Sequence, residues 1–229
     1  MMGYSHALSG AVAASAIYAF NPNALGASAG AMAISSCLII GGALLPDADH
    51  PNASAAKSFP PLSNIVVAAV SKVSGGHRGY THTFLGVGIF AVLTYFACTW
   101  QVSIYGREVF PLAILIVAFC VSLGLSTLKV VPKGTGYLLG ISAGYLTYIS
   151  AIPAITIATF LALGCLVHLA GDVITTEGLK LFRPFSDSDV TVRIPILGNA
   201  GSSREKALDI LMAALCAIFI ARGAGILGI

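Results

Sequence analysis

Charge is missing from most of this chain, and that absence limits its possible folds more than any other feature. No Asp, Glu, Lys or Arg occurs before Asp47, between Arg78 and Arg107, between Glu108 and Lys129, or between Lys133 and Asp172. Runs of this length, in a 229-residue chain that is 57% apolar and 9% charged, belong to the membrane class rather than to a soluble domain. A bilayer core offers backbone N–H and C=O groups no partners, so spanning segments of this composition are expected to be helical. The fold class expected is all-α and polytopic.

Spanning helices need roughly 20 apolar residues, fewer if the bilayer thins around them. Seven segments qualify at about 6 to 20, 24 to 45, 82 to 103, 109 to 129, 137 to 151, 153 to 171 and 207 to 228. The first and fifth are short and are followed by the turn signals Asn21-Pro22-Asn23 and Ile152-Pro153. Leu62 to Val73 is apolar but too short to cross, and is expected to lie at the interface or to pack over the polar cluster described below. The run Ala7 to Phe20 is as short as a signal-peptide core, but no Lys or Arg precedes it, so it is expected to be retained. The whole chain, 1–229, is expected to be a single membrane-embedded domain.

Basic residues then give an orientation. Lys57, Lys72, Arg78, Lys129, Lys133, Lys180, Arg183, Arg193, Arg204 and Lys206 fall on the side of the amino terminus, against Arg107 and Arg222 on the other. An excess of Lys and Arg marks the cytoplasmic side, which places the amino terminus in the cytoplasm and, with seven spans, the carboxyl terminus outside. The net charge of +3 is small and its carriers scattered, so nucleic acid is not expected as a partner. Cys37, Cys98, Cys120, Cys165 and Cys216 sit singly in apolar segments without ligand spacing, and read as buried thiols.

Against this background one stretch stands out, Leu45-Pro-Asp47-Ala-Asp49-His50 at one end and His77-Arg78-Gly-Tyr-Thr-His82 at the other. It holds two aspartates and three of the five histidines. Asp47 and Asp49 follow the carboxyl end of a helix, where the helix dipole disfavours negative charge by up to about 1 kcal/mol each. A divalent cation would compensate, and carboxylate oxygen with imidazole nitrogen suits zinc, manganese or iron; the alternative is a solvated polar turn. His168 and Asp172 lie four residues apart, on one face of the sixth span. Ionisable groups at such a depth are functional suspects, although a hydrogen-bonded His and Asp pair can also be structural. The segmentation puts His6, Asp47, Asp49, His50, His77, His82, His168 and Asp172 near one membrane face, although no histidine was used to draw it. Ser202-Ser-Arg-Glu205 reads as a capping box opening the last helix, and Asp187 and Asp189 as turn residues.

The ordered motifs, an early His6, then Leu-Pro-Asp-Ala-Asp-His50, His77-Arg-Gly-Tyr-Thr-His-Thr83, His168-Leu-Ala-Gly-Asp172, Thr175 and Arg183-Pro-Phe185, resemble the YdjM-like membrane-bound metal-dependent hydrolases. The resemblance is strongest over residues 6 to 185. That family is distantly similar to zinc-dependent phospholipase C and P1-type nucleases, which implies a divalent metal site, zinc above all with one to three ions, and hydrolysis of phosphoesters. The expected protein is an inner-membrane hydrolase of a lipid, lipid-linked or small-molecule phosphoester. The eight residues above are the expected ligands, with Asp49 and His50 as ligands or as groups that orient ligands. Asp49 is alternatively the general base, and Arg78, with Lys72 beside it, is expected to hold the substrate anion. A metal or proton transporter, or a non-catalytic metal-binding membrane protein, is the competing class; transport sites favour the bilayer midplane, whereas this cluster falls at helix ends.

Overall fold

The computed structural model describes residues 1–58, 61–132, 134–150, 152–185 and 190–227. Asp187 and Asp189 lie outside the described residues. Eight α-helices form within them: α1 (Gly3–Phe20), α2 (Ala29–Gly42), α3 (Leu62–Ser74), α4 (Phe84–Thr99), α5 (Pro111–Leu128), α6 (Thr135–Ile149), α7 (Ala154–Val173) and α8 (Ser203–Gly223). Several start where a side chain relieves the orphan N–H groups of the first turn: Ser28 accepts from Ala31 N, Thr83 from Gly86 N and Ser202 from Glu205 N. Pro111 opens α5, where its missing N–H costs nothing.

The expected helices are therefore present, but seven spans are not. Among the described residues, two helices, α5 and α7, are long and apolar enough to cross a membrane. At 1.5 Å rise per residue the 14, 16 and 15 residues of α2, α4 and α6 reach roughly 21 to 24 Å, short of a hydrocarbon core of about 30 Å. Arg204, Glu205, Lys206 and Asp209 occupy the first two turns of α8. The third expected span also ends early, because Val102–Ile104 and Arg107–Val109 form a small antiparallel hairpin, β1 and β2. Its two-residue turn, Tyr105 and Gly106, has positive φ at both positions, matching the twist of the strands.

Packing fixes which helix ends meet. The α2 and α7 backbones touch through glycine: a Cβ on Gly164 would collide with the Ile39 carbonyl oxygen, the Ala43 nitrogen and the Gly42 Cα. This is close helix approach through small residues, the usual mode in lipid. Buried Leu38, Ile39, Val117, Cys120, Ile157 and Leu161 fill the space between α2, α5 and α7. A second apolar cluster, with Ala7, Leu44, Ala48, Ala55, Val67 and Leu123, lies under the loop after α2, and α3 packs across that loop as expected. All five cysteines are free; Cys98, Cys120 and Cys165 are buried, and Cys37 and Cys216 half-buried.

Candidate metal centre

α1 and α4 begin, and α2 and α7 end, at the same end of the bundle. The last carbonyls of α2 have no intrahelical donor, and α7 supplies two side chains for them. Cys165 Sγ donates to the Gly42 carbonyl at 3.4 Å, and His168 Nδ1 lies 2.8 Å from the Ala43 carbonyl oxygen. A carbonyl only accepts, so His168 carries its proton on Nδ1 and turns the Nε2 lone pair inward.

His82 is fixed in the same sense by the loop before α4. After α2 the chain makes a 3-10 turn over Pro46–Asp49, which buries Asp49 beneath the segment 77 to 82. The Asp49 carboxylate accepts from Thr81 Oγ1 at 2.6 Å and from the Arg78 backbone N–H at 3.0 Å, and it meets His77 Nδ1 at 2.9 Å and His82 Nδ1 at 3.2 Å. Arg78 has φ of 58°, a left-handed conformation uncommon for a long side chain, in the turn that aims its N–H at Asp49. Thr81 gives its one hydroxyl proton to Asp49, so its 3.0 Å contact with His82 Nδ1 is one in which the imidazole donates. With Nδ1 protonated, His82 also directs Nε2 inward.

The two Nε2 atoms face each other at 3.2 Å. Asp47 Oδ1 lies 3.5 Å from His82 Nε2 and 3.7 Å from His168 Nε2, and Asp172 Oδ2 lies 3.8 and 3.7 Å from the same atoms. A tetrahedral ion with bonds of about 2.0 to 2.2 Å needs ligand atoms roughly 3.3 to 3.6 Å apart. Two imidazole lone pairs at 3.2 Å repel unless a proton or a metal ion stands between them. The residues present therefore fit a divalent metal, and two of the His/Asp groupings able to hold one are His6, Asp47 and His168, and His82, His168 and Asp172.

His6 stands beside this set. It is fully buried and its ring stacks on His168, with centroids 3.7 Å apart. Its Nε2 is 3.2 Å from Asp172 Oδ1, yet neither ring nitrogen completes a hydrogen bond. An imidazole buried with both nitrogens unsatisfied is costly, which is what a ligand without its ion looks like. Gly171 makes room for it, since a Cβ there would press on the His6 ring and the Met1 sulfur. Asp172 is the most shared group: Oδ1 also meets the amino nitrogen of Met1 at 2.5 Å, and Oδ2 the Arg78 guanidinium at 3.2 Å.

The electrostatics of the loop residues follow. Burial would raise the Asp47 carboxyl, but the neighbouring His168, His82 and His6 outweigh it and hold Asp47 below the ordinary aspartate range. For Asp49 burial is likewise overcome, here by hydrogen bonds from His77, His82 and Thr81. Burial would lower His82, but its bonds to Asp47 and Asp49 push it up to about 9. A proton thus occupies the His82 pair when no metal does, and a metal must displace it.

Of the expected ligands, His6, Asp47, His82, His168 and Asp172 converge. Asp49 and His77 adjoin them, and with Asp47 form a further His/Asp grouping. His50 stands apart: its Nδ1 accepts from the Asn52 N–H at 3.2 Å and its ring meets His77 edge-on at 5.0 Å. Arg78 does reach the centre, with its guanidinium held by Asp172 and by Glu177 at 2.8 Å. Lys72 is exposed on α3. Sequence reasoning missed Thr81, the Ala43 carbonyl and Glu177. Thr81 was open to suspicion as a hydroxyl next to an expected ligand, whereas a backbone carbonyl leaves no mark in a sequence.

A helical membrane protein with a buried cluster of imidazoles and carboxylates at its helix ends is the class that fold and site define. Residues 1–226 match the family described as YdjM inner membrane protein, and the chain belongs to that family. No curated protein and no solved structure matches it.

Proposed function

We propose that this protein is a metal-dependent hydrolase of phosphoesters, with one zinc-like ion held by Asp47, His82, His168 and Asp172, and His6 able to join them. The observation that carries the reading is the pair of inward-facing Nε2 atoms, 3.2 Å apart and flanked by two carboxylates. A divalent ion at such a set supplies a Lewis acid that polarises a phosphoryl oxygen and makes water a better nucleophile at neutral pH.

The chain's own residues have separate tasks. Asp49 is a positioning residue: four donors saturate it and its basicity is reduced, so it orients His82 rather than taking a proton from water. Asp47, 20% exposed, is the proposed ligand side chain open to solvent, so water is proposed to reach the cluster past it. Arg78 binds the substrate anion by exchanging one partner. Its contact with Glu177 is with a side chain 76% exposed, a weak surface pair that a phosphate can replace, while the bond to Asp172 keeps the guanidinium aimed at the centre. The whole chain is proposed to act as one membrane-embedded unit with the site on the cytoplasmic side. Supporting that orientation, Lys57, Lys72, Arg78, Arg204 and Lys206 fall at the site end, and Arg222 stacks on Phe20 at the far end of α1 and α8.

The test is hydrolysis of bis(p-nitrophenyl) phosphate and of phospholipids by detergent-purified, zinc-loaded protein. The expected result is release of product that Arg78→Ala slows by about 100 to 1,000-fold without changing metal content, the range that loss of one transition-state hydrogen-bond donor covers. Absence of turnover on all phosphoesters by metal-loaded protein contradicts the hydrolase reading.

A further inference from the structure

We infer that the groove between α3 and α4 takes one acyl chain of the substrate, which makes the substrate a membrane lipid or lipid-linked phosphoester; this rests on the hydrolase reading above. The groove has a volume of about 290 Å³ and is walled by Ala69 and Val73 of α3 and by Ile89, Phe90 and Leu93 of α4. Thr81, whose hydroxyl donates to Asp49 and contacts His82, is among the buried residues that line it. The apolar groove therefore borders a residue that touches a proposed ligand.

Three observations select a lipid chain as the occupant. The walls carry no charged side chain. The volume sits at the lower edge of the roughly 300 to 1,000 Å³ that small-molecule pockets occupy, which suits a single chain rather than a whole lipid. The outer rims, Val73 at 80% and Leu93 at 62% exposure, belong to a protein whose surroundings are bilayer, so a chain enters from the side without crossing water. A soluble phosphoester has no use for such a channel beside the site. A larger cavity, about 600 Å³ near Cys98, Glu108 and Tyr148, lies at the opposite end of the helices and touches none of these residues.

The experiment uses the full chain in detergent micelles and a phosphatidic acid bearing a diazirine on one acyl chain. On illumination, crosslinks are expected in the segment 69 to 93, competed away by unlabelled phosphatidic acid. Ala69→Trp and Leu93→Trp each fill the groove and should reduce crosslinking to background, while Val66→Trp, on α3 outside the groove, should not. Leu93 is exposed enough for its variant to fold if Ala69→Trp does not. Labelling spread equally over the exposed faces of α6, or indifferent to both groove variants, overturns the proposal, and so does a dimer that the groove variants dissociate, since the occupant is then a second copy. Metal content measured on the same samples separates the two readings: metal-free wild-type protein with specific labelling sinks the hydrolase alone, and metal-loaded protein with scattered labelling sinks the groove alone.

Discussion

Two helix seams in this protein use the same packing device to different ends. α2 and α7 meet through Gly164, and α5 and α6 meet through Gly140, where a Cβ would collide with the Ala118 carbonyl oxygen. Both contacts draw backbones together in the way lipid-embedded helices favour. Along α5 and α6 the close approach leads only to serines, Gly136 lying against Ser122 and Ser126. Along α2 and α7 it continues to the helix ends, where His168 caps the Ala43 carbonyl and Asp172 follows one turn later. The comparison teaches that small-residue packing builds the scaffold, and that the candidate site arises where a seam terminates on open carbonyls opposite ionisable side chains.

The largest effect should come from breaking the first seam. Gly164→Leu should lower the thermal midpoint in detergent sharply and abolish metal binding together, because overpacking here pushes α2, which leads into the Asp47 turn, away from α7, which carries His168. Gly140→Leu should also lower the midpoint, yet the folded fraction should keep its metal, as measured by metal analysis after size exclusion. Loss of metal in Gly140→Leu would show that the seams are not independent.

Next come changes that keep the seam and remove the chemistry. Asp47→Asn and His82→Ala should each lose bound metal while the protein still inserts and elutes as folded, since Asn removes the charge that offsets a divalent ion and Ala removes an imidazole. Asp49→Asn should be milder, weakening metal affinity by roughly 10 to 100-fold, because it acts on His82 from behind. A metal titration with a competing chelator orders the three, and equal losses would make Asp49 a ligand after all.

These contrasts mark what was legible in the sequence. The convergence of His6, Asp47, His82, His168 and Asp172 could be read, because ionisable groups in a charge-poor chain have few places to go. The short α3 packed over the loop after α2 and the Ser202 cap were also legible, as apolar period and capping residue are local signals. The number of spans was not: hydropathy marks apolar runs, but turns at Pro22–Ala24 and at β1 and β2 cut α2 and α4 below spanning length. Nor was the second role of Glu205 legible. Its carboxylate accepts from the Met2 N–H at 2.6 Å and from the Gly201 N–H at 2.6 Å, tying the start of α1 to α8 across 203 positions of sequence.

That tie gives the smallest effect. Burial would raise the Glu205 pKa, but the Met2 and Gly201 N–H donors prevail and lower it. A lowered folded-state pKa stabilises fully above the unfolded value of about 4.3 and less as pH falls through the folded value. Glu205→Gln should therefore cost about 1 to 2 kcal/mol at neutral pH, read as a small drop in thermal midpoint, and the difference from wild type should shrink as the solution is acidified. A constant difference down to low pH would mean that the charge of Glu205 is not what matters.

The central claim is that the end of the α2 and α7 seam holds a divalent ion between His82 and His168. Its most direct test is metal content per chain, by inductively coupled plasma mass spectrometry on chelator-washed and zinc-reloaded protein in detergent, for wild type and His168→Ala. The proposal predicts at least one ion per wild-type chain and a loss of that ion in a variant that still elutes as folded. Wild-type protein that takes up no divalent metal, or a His168→Ala variant that keeps the full complement, would contradict it.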